Sequence, residues 1–234
     1  MKRLSHVLVA VALDDRDRRV FAHALALARR HDAKLLLLHA TSPEMSLNRG
    51  ATERVEFLRQ LRSLAEAAGV DIRVAVQTGP VHEIILLHAR ARNTDLIVLG
   101  TGRKESRRGL SGWIAEQVLR ASLCPTLVVP EAWDAGERLE QILYAVDFPS
   151  ASQAVTYDVV QPLIPYESEG AAVARVAPGR PAAEILGAAR RTRLGSTLFG
   201  KTGQLLRDAK CAILAVPVAA IAKQGTQHLH KEAA

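Results

Sequence analysis

Cysteine is scarce in this chain, and its scarcity argues against two classes of protein. Cys124 and Cys211 are the two cysteines among 234 residues, and neither belongs to a CxxC motif or to a Cys/His cluster with metal-site spacing. Two cysteines are too few for the disulfide framework of a small secreted domain. The sequence therefore predicts a protein of a reducing compartment, the cytoplasm, without a bound metal.

Long apolar runs are missing as well. Every apolar run is shorter than about ten residues, whereas a membrane-spanning helix needs roughly 18 or more. The N-terminal segment has basic residues and a short apolar run, but Asp14 and Asp15 stand where a signal peptide would carry small residues. We interpret this segment as a first strand and expect no association with a membrane.

Patterns typical of catalysis or of nucleic-acid binding are also absent. The formal net charge is +7, but the basic residues are scattered and alternate with acids, as in Asp15–Arg19. A nucleic-acid-binding domain usually concentrates its basic residues in a patch or stripe. The sequence shows no Ser/His/Asp or Cys/His constellation and no paired carboxylates in one predicted cleft. We therefore expect neither an enzyme nor a nucleic-acid-binding protein.

Alternating strands and helices are what the first half does contain. Hydrophobic residues make up 48% of the chain, which is enough for a packed core. Continuous apolar runs predict buried parallel strands, and apolar residues at helical spacing predict the helices between them. Such alternation predicts a doubly wound α/β sheet of five parallel strands, which binds ligands beyond the carboxyl ends of its strands. The predicted strands are 7–13, 35–38, 72–76, 95–99 and 125–129.

The two halves of the chain share an internal repeat. Residues 117–130 match residues 204–217 without a gap, and residues 7–11 match residues 142–146. A repeat of this length indicates that both halves derive from one structural pattern.

The second copy is shorter than the first. It has no counterpart of the strand at 35–38 with its following helix, or of the strand at 95–99. Because a truncated sheet exposes apolar faces and edges, we expect the second copy to pack on the first instead of folding alone. The predicted organisation is a complete domain at 1–130, a linker at 131–138, a truncated second domain at 139–220 and a disordered tail at 221–234.

Several segments resemble the universal stress protein family. They are the first strand, residues 95–100 and 112–129 in the first half, and residues 142–148, 179–185 and 204–216 in the second. The resemblance implies a Rossmann-like five-stranded sheet and a role in the stress response. It also implies a tandem arrangement in which the two halves pair as a pseudo-dimer through their last strands.

The family resemblance extends in part to a nucleotide-binding loop. ATP-binding members carry the pattern G-x2-G-x9-G-S/T after the fourth strand, and an acidic residue after the first. Gly102 and Gly112 have the nine-residue interval, but Gly100 is one residue too close to Gly102, and Trp113 replaces the small hydroxyl residue. Asp14 supplies the acid only if the first strand is extended, since ungapped matching puts an alanine there.

The resemblance thus implies ATP as a candidate ligand of a modified or vestigial site. Glycines in such a loop let backbone N–H groups approach phosphate oxygens, and the following helix directs its positive end toward them. Arg103 begins a basic run between two of the glycines. The candidate site residues are Asp14, Ala40, Gly100, Gly102, Arg103, Gly112 and Trp113.

A second phosphate-binding pattern occurs in the other half. Gly195–Thr202 satisfies G-x4-G-K-[ST], in which Lys201 and Thr202 would meet phosphates and magnesium. A P-loop requires a buried strand immediately upstream, but residues 188–194 are polar and continue a helix. The downstream strand at 212–216 ends at a proline and not at the magnesium-binding Asp of a P-loop enzyme. We interpret the match as the decayed glycine loop of the second copy.

Three hypotheses remain open at this point. The favoured one is a regulatory stress-response protein that binds a nucleotide in its first domain and associates with itself or with protein partners. The second is a P-loop nucleotide hydrolase that uses Lys201 and Thr202. The third is a nucleotide-independent adaptor whose surface recruits partners.

Overall fold

Strands and helices alternate through the first half of the molecule. The computed structural model describes residues 3–14, 16–41, 51–101, 113–130, 142–145 and 212–215. The strands are β1 (His6–Val11), β2 (Lys34–Thr41), β3 (Ile72–Thr78), β4 (Leu96–Gly100), β5 (Thr126–Val129), β6 (Ile142–Ala145) and β7 (Ala212–Ala215). The helices are α1 (Asp17–His31), α2 (Ala51–Ala67), α3 (Val81–Ala91) and α4 (Trp113–Ala121).

The strands form one sheet in the order β3-β2-β1-β4-β5-β7-β6. Strands β1 to β5 are parallel, with β1 between β2 and β4. Helices α1 and α2 pack on one face of the sheet, and α3 and α4 pack on the other, which gives two separate core clusters. The predicted doubly wound sheet of five parallel strands is confirmed.

Burial follows the position of each strand in the sheet. Leu96, Ile97, Val98 and Leu99 of β4 are all buried, because helices cover both faces of a central strand. In β3, at the edge, burial falls to an alternating pattern, and Val76 is exposed. The continuous apolar runs in the sequence therefore mark the centre of the sheet.

Several strand boundaries differ from the sequence-based prediction, and the ends of β1 and β4 matter most for the candidate site. Strand β1 ends at Val11, earlier than predicted, because Leu13 adopts a left-handed backbone with φ 66° and begins a turn. Gly100 was predicted to begin the loop after β4, but it is the last residue of that strand and pairs with Val129.

Strands β6 and β7 extend the sheet beyond β5. Strand β7 pairs with β5 in antiparallel orientation, and Leu127 lies opposite Leu214. Strand β6 is parallel to β7, and Leu143 lies opposite Ile213. These two strands of the second half thus continue the sheet of the first half.

The other parts of the predicted domain organisation lie outside the described residues. These are the linker at 131–138, the remainder of 139–220 and the tail at 221–234. Within the described residues, no helix combines the length and the apolar character needed to cross a membrane.

Candidate functional site

The carboxyl ends of β1 and β4 lie side by side at the centre of the sheet. Ala10 pairs with Leu99, and the chain leaves the two strands toward opposite faces, into α1 and into α4. In sheets of this type, ligands bind where neighbouring connections diverge, and helix N-termini there carry partial positive charge. We call this place the central crevice, formed by the end of β1 with residues 12–14, by Gly100 at the end of β4 with Thr101 after it, and by the start of α4.

Asp14 lies at the edge of the central crevice, where it helps to begin α1. Its Oδ1 accepts a hydrogen bond of 3.0 Å from the backbone N–H of Arg16. Its own N–H donates to Oδ2 of Asp17 over 2.9 Å, and its carbonyl accepts from the Asp17 N–H over 3.0 Å. The Asp14 carboxylate thus closes an Asx turn just before α1, and the Asp17 carboxylate bonds back to the N–H of Asp14. The structure therefore places Asp14 beside the crevice but uses one of its carboxylate oxygens in the turn.

Asp17 holds a buried carboxylate directly behind this turn. The residue is 6% exposed. The pKa of its carboxyl is raised from 3.8 to about 6, mainly by burial and in smaller part by the charge of Asp14, although hydrogen bonds from the turn backbone partly oppose this shift. The loop that lines the crevice is thus attached to a group that titrates in mildly acidic solution.

The end of β2 supplies a small, buried side chain next to β1. Ala40 is buried in the core cluster beneath α3 and α4. The neighbouring His39 points to the other face, where its Nδ1 lies 3.0 Å from the carbonyl oxygen of Val11. Burial is the main reason that the pKa of His39 is lowered, so its neutral ring donates this hydrogen bond. The imidazole thereby fixes the end of β1 to β2.

The end of β4 is fixed to β5. Gly100 pairs with Val129 in the sheet, and the N–H of buried Thr101 donates to the Val129 carbonyl over 3.3 Å. The chain therefore leaves the crevice floor only after Thr101.

Trp113 begins α4 and packs against the start of α3. Its ring centroid lies 5.6 Å from that of His82, with an angle of 75° between the ring planes. Edge-to-face contacts of this kind stabilise aromatic pairs. Since Trp113 remains 40% exposed, the indole contacts α3 and is also open to solvent.

The remaining predicted residues cannot be placed. Gly102, Arg103 and Gly112, as well as Lys201 and Thr202 of the Walker-like match, lie outside the described residues. Within the ranges that the structure describes, no group of three or more His, Cys, Asp or Glu side chains could hold a metal ion.

Sequence reasoning missed two residues of this region. Asp17 was readable from the spacing Asp14-x-x-Asp17, which resembles the capping-box pattern. His82 had no local signal, because its contact with Trp113 joins two helices that are far apart in sequence.

Comparison with known proteins identifies relatives of the first half. The sequence profile of the universal stress protein family matches residues 4–130. Universal stress protein MJ0531 of Methanocaldococcus jannaschii is 33% identical over 121 residues, which cover 46% of this chain and 71% of that protein. Universal stress protein C of Salmonella typhimurium is 30% identical over 142 residues, covering 56% of this chain and 98% of that protein.

A solved structure shares the fold. The crystal structure of a universal stress protein from Archaeoglobus fulgidus matches with a TM-score of 0.60 and 16% identity. The match covers 89% of this chain and 94% of that one. At this level of identity the similarity concerns the fold alone.

Proposed function

Because this chain belongs to the universal stress protein family, we propose that it is a stress-response binding protein whose central crevice takes a nucleotide of the ATP class. The function is binding and not turnover, and the proposed compartment is the cytoplasm. The protein would transmit the stress signal by self-association or by binding to protein partners.

The divergence of α1 and α4 from adjacent strands is the observation that carries this proposal. The N-terminus of α4 lies at this end of the sheet, and its partial positive charge favours phosphate, whereas the carboxylates of Asp14 and Asp17 already lie at the start of α1. The floor of the crevice is fixed by the His39 contact with Val11 and by the Thr101 contact with Val129. A fixed floor reduces the ordering that a ligand must impose.

The indole of Trp113 would line one side of the site and would not block it. Its contact with His82 draws the indole toward α3, so the ring flanks the start of α4. The exposed part of the ring is then available to stack on a base, and such stacking contributes about 1 to 3 kcal/mol. This arrangement would compensate for the missing hydroxyl group of the family pattern.

Tryptophan fluorescence tests the proposal directly. The chain has two tryptophans, so Trp133→Phe leaves Trp113 as the reporter. We expect Mg-ATP to quench its emission in a saturable way. In thermal unfolding, ligand at about 100 times its dissociation constant should raise the free energy of unfolding by about 2.7 kcal/mol. If neither signal changes at millimolar Mg-ATP, the nucleotide proposal is wrong and the adaptor hypothesis gains.

Two variants separate this crevice from the Walker-like match. Gly112→Val should abolish the thermal shift, because a branched side chain would crowd backbone N–H groups near phosphate, whereas Lys201→Ala should leave the shift intact. The opposite pattern, with magnesium-dependent phosphate release lost in Lys201→Ala, would favour the P-loop hydrolase instead.

We also propose that β6 and β7 belong to a shortened second copy of the first domain. The sequence repeat equates Leu127 with Leu214, and these two residues lie opposite each other in the β5–β7 pair. On either side of this pair, Thr126 lies opposite Ala215 and Val128 lies opposite Ile213. If each residue is replaced by its counterpart in the repeat, the first of these pairs becomes the second. This register is that of an approximate two-fold axis between Leu127 and Leu214, and it supports the pseudo-dimer implied by the family resemblance.

A further inference from the structure

A second pocket lies at the end of the sheet opposite the central crevice. It has a volume of about 210 Å³ and is lined by residues from the amino ends of β1, β2 and β3 and from the segment after α3. A strand of six residues spans roughly 20 Å, so this pocket is separate from the crevice at the other end of β1. We call it the amino-edge pocket; its polar lining residues are His6, Lys34, Arg73, Arg92 and Thr94.

Three permanent cations from three different segments line the amino-edge pocket. Lys34 begins β2, Arg73 lies in β3, and half-buried Arg92 follows α3. Lys34 has an exposed partner, with its Nζ 3.7 Å from Oδ2 of Asp71. Within the described part of the chain, Arg73 and Arg92 form no ion pair or hydrogen bond through their guanidinium groups. The pocket therefore presents two guanidinium groups that no described carboxylate neutralises.

The negative groups nearest to this pocket already have donors of their own. Oδ2 of Asp95 accepts hydrogen bonds from the backbone N–H groups of Ser5 and His6, over 2.8 and 3.0 Å. The last carbonyls of α3 accept from the N–H groups of Arg92 and Thr94, over 3.2 and 2.9 Å. Oδ2 of Asp95 and these carbonyls therefore have donors other than the arginine side chains.

The positive charge of Arg92 acts on the neighbouring His88. Burial first, and then the positive charge of Arg92, lower the pKa of His88 on α3.

We propose that the amino-edge pocket binds the phosphate group of a small phosphorylated compound, with Arg73 and Arg92 as its principal ligands. A guanidinium matches phosphate oxygens in bidentate geometry, and such charge-assisted hydrogen bonds are about twice as strong as neutral ones. Two guanidinium groups and an ammonium offer more donors than one carboxylate can accept, whereas phosphate oxygens can use them. The pocket volume leaves room for a small organic group beside the phosphate.

Isothermal titration of the full chain with pyrophosphate, glycerol phosphate and succinate tests this proposal. In the double variant Arg73→Gln/Arg92→Gln we expect the affinity for both phosphate compounds to fall about tenfold or more, because the bidentate donors are gone. The matched control is Arg59→Gln/Arg62→Gln, which removes the same charge from α2, where each arginine pairs with a glutamate of its own helix. The control should change affinity less than about twofold.

Three results would overturn the proposal. They are no binding of either phosphate compound to the full chain, an equal loss of affinity in both double variants, and binding of succinate as tight as that of pyrophosphate. The Trp113 fluorescence response to Mg-ATP should persist in the Arg73→Gln/Arg92→Gln variant, and this also shows that the variant is folded. If that response is absent from every variant and from the parent chain while pyrophosphate binds, the crevice proposal fails and the pocket proposal stands.

Discussion

The two halves of the chain contribute different numbers of described strands to the sheet. In the first half, β4 lies between β1 and β5 and pairs with both. In the second half, β6 and β7, the counterparts of β1 and β5 in the sequence repeat, pair directly with each other. Among the described strands of the second half, none therefore lies between the counterparts of β1 and β5, where β4 lies in the first half.

This difference shows which part of the fold makes a ligand site. The central crevice needs two adjacent parallel strands whose helices diverge to opposite faces, as β1 and β4 provide. With β6 directly beside β7, the described strands do not reproduce that pair. We infer that the second half serves mainly to cover the edge of β5, and that a nucleotide, as proposed above, would bind in the first half.

Removal of the second half should have the largest effect on this comparison. A chain ending at Pro130 would expose the edge of β5, and an open apolar edge favours pairing with another copy. We expect the shortened protein to form a dimer in which Leu127 of one copy lies opposite Leu127 of the other, replacing Leu214. Analytical ultracentrifugation of the shortened and full chains measures this change.

The comparison fails if the shortened chain stays folded and monomeric at concentrations where the full chain is also monomeric. In that case β7 would not be covering an edge that binds a second copy. Circular dichroism separates this outcome from loss of the fold.

A smaller effect is expected when the seam between the halves is weakened from the side of β7. Leu214 is fully buried in the same core cluster as Leu127 and Val129. Leu214→Ala should reduce the free energy of unfolding by about 2 kcal/mol, and Leu37→Ala, in the centre of the sheet, by about 4 kcal/mol, since buried Leu→Ala changes cost roughly 2 to 5 kcal/mol. Urea unfolding at neutral pH measures both.

Exposed Leu64 on α2 provides the control, because its change to Ala should alter stability by less than about 0.5 kcal/mol. If Leu214→Ala leaves the main transition of the first half unchanged, β7 is not part of the same cooperative unit. The two halves would then fold independently.

Much of the first half could be predicted because its signals are local. The runs that contain Leu35–Leu38 and Leu96–Leu99 are apolar on both faces, as central parallel strands must be. The end of β1 was harder to predict, since Leu13 is apolar but adopts a left-handed backbone at the start of the turn before α1. Hydrophobicity alone does not report such a change of backbone direction.

The candidate site was predictable in position but not in chemistry. The order of elements places Asp14, Ala40, Gly100 and Trp113 at the carboxyl ends of the strands or directly after them, while their role in a binding site stays a prediction. The sequence could not show that the indole of Trp113 contacts His82, because this contact depends on side-chain directions set by packing. The contribution of Gly102, Arg103 and Gly112 stays a prediction.

The smallest expected effect concerns the buried carboxylate of Asp17, which lies behind the turn at the central crevice of the first half. Its pKa is raised from 3.8 to about 6, mainly by burial, so the folded state binds this proton more tightly than the unfolded state does. The contribution of Asp17 to stability is therefore fully present below the unfolded pKa and is lost as the pH rises to the folded pKa.

Asp17→Asn retains an acceptor for the Asp14 N–H but cannot ionise. Relative to the parent, its free energy of unfolding should increase by about 1 kcal/mol between about pH 5 and about pH 7.5. Urea unfolding at the two pH values measures this difference, and a difference that does not depend on pH would mean that Asp17 is ionised at little cost in the folded protein.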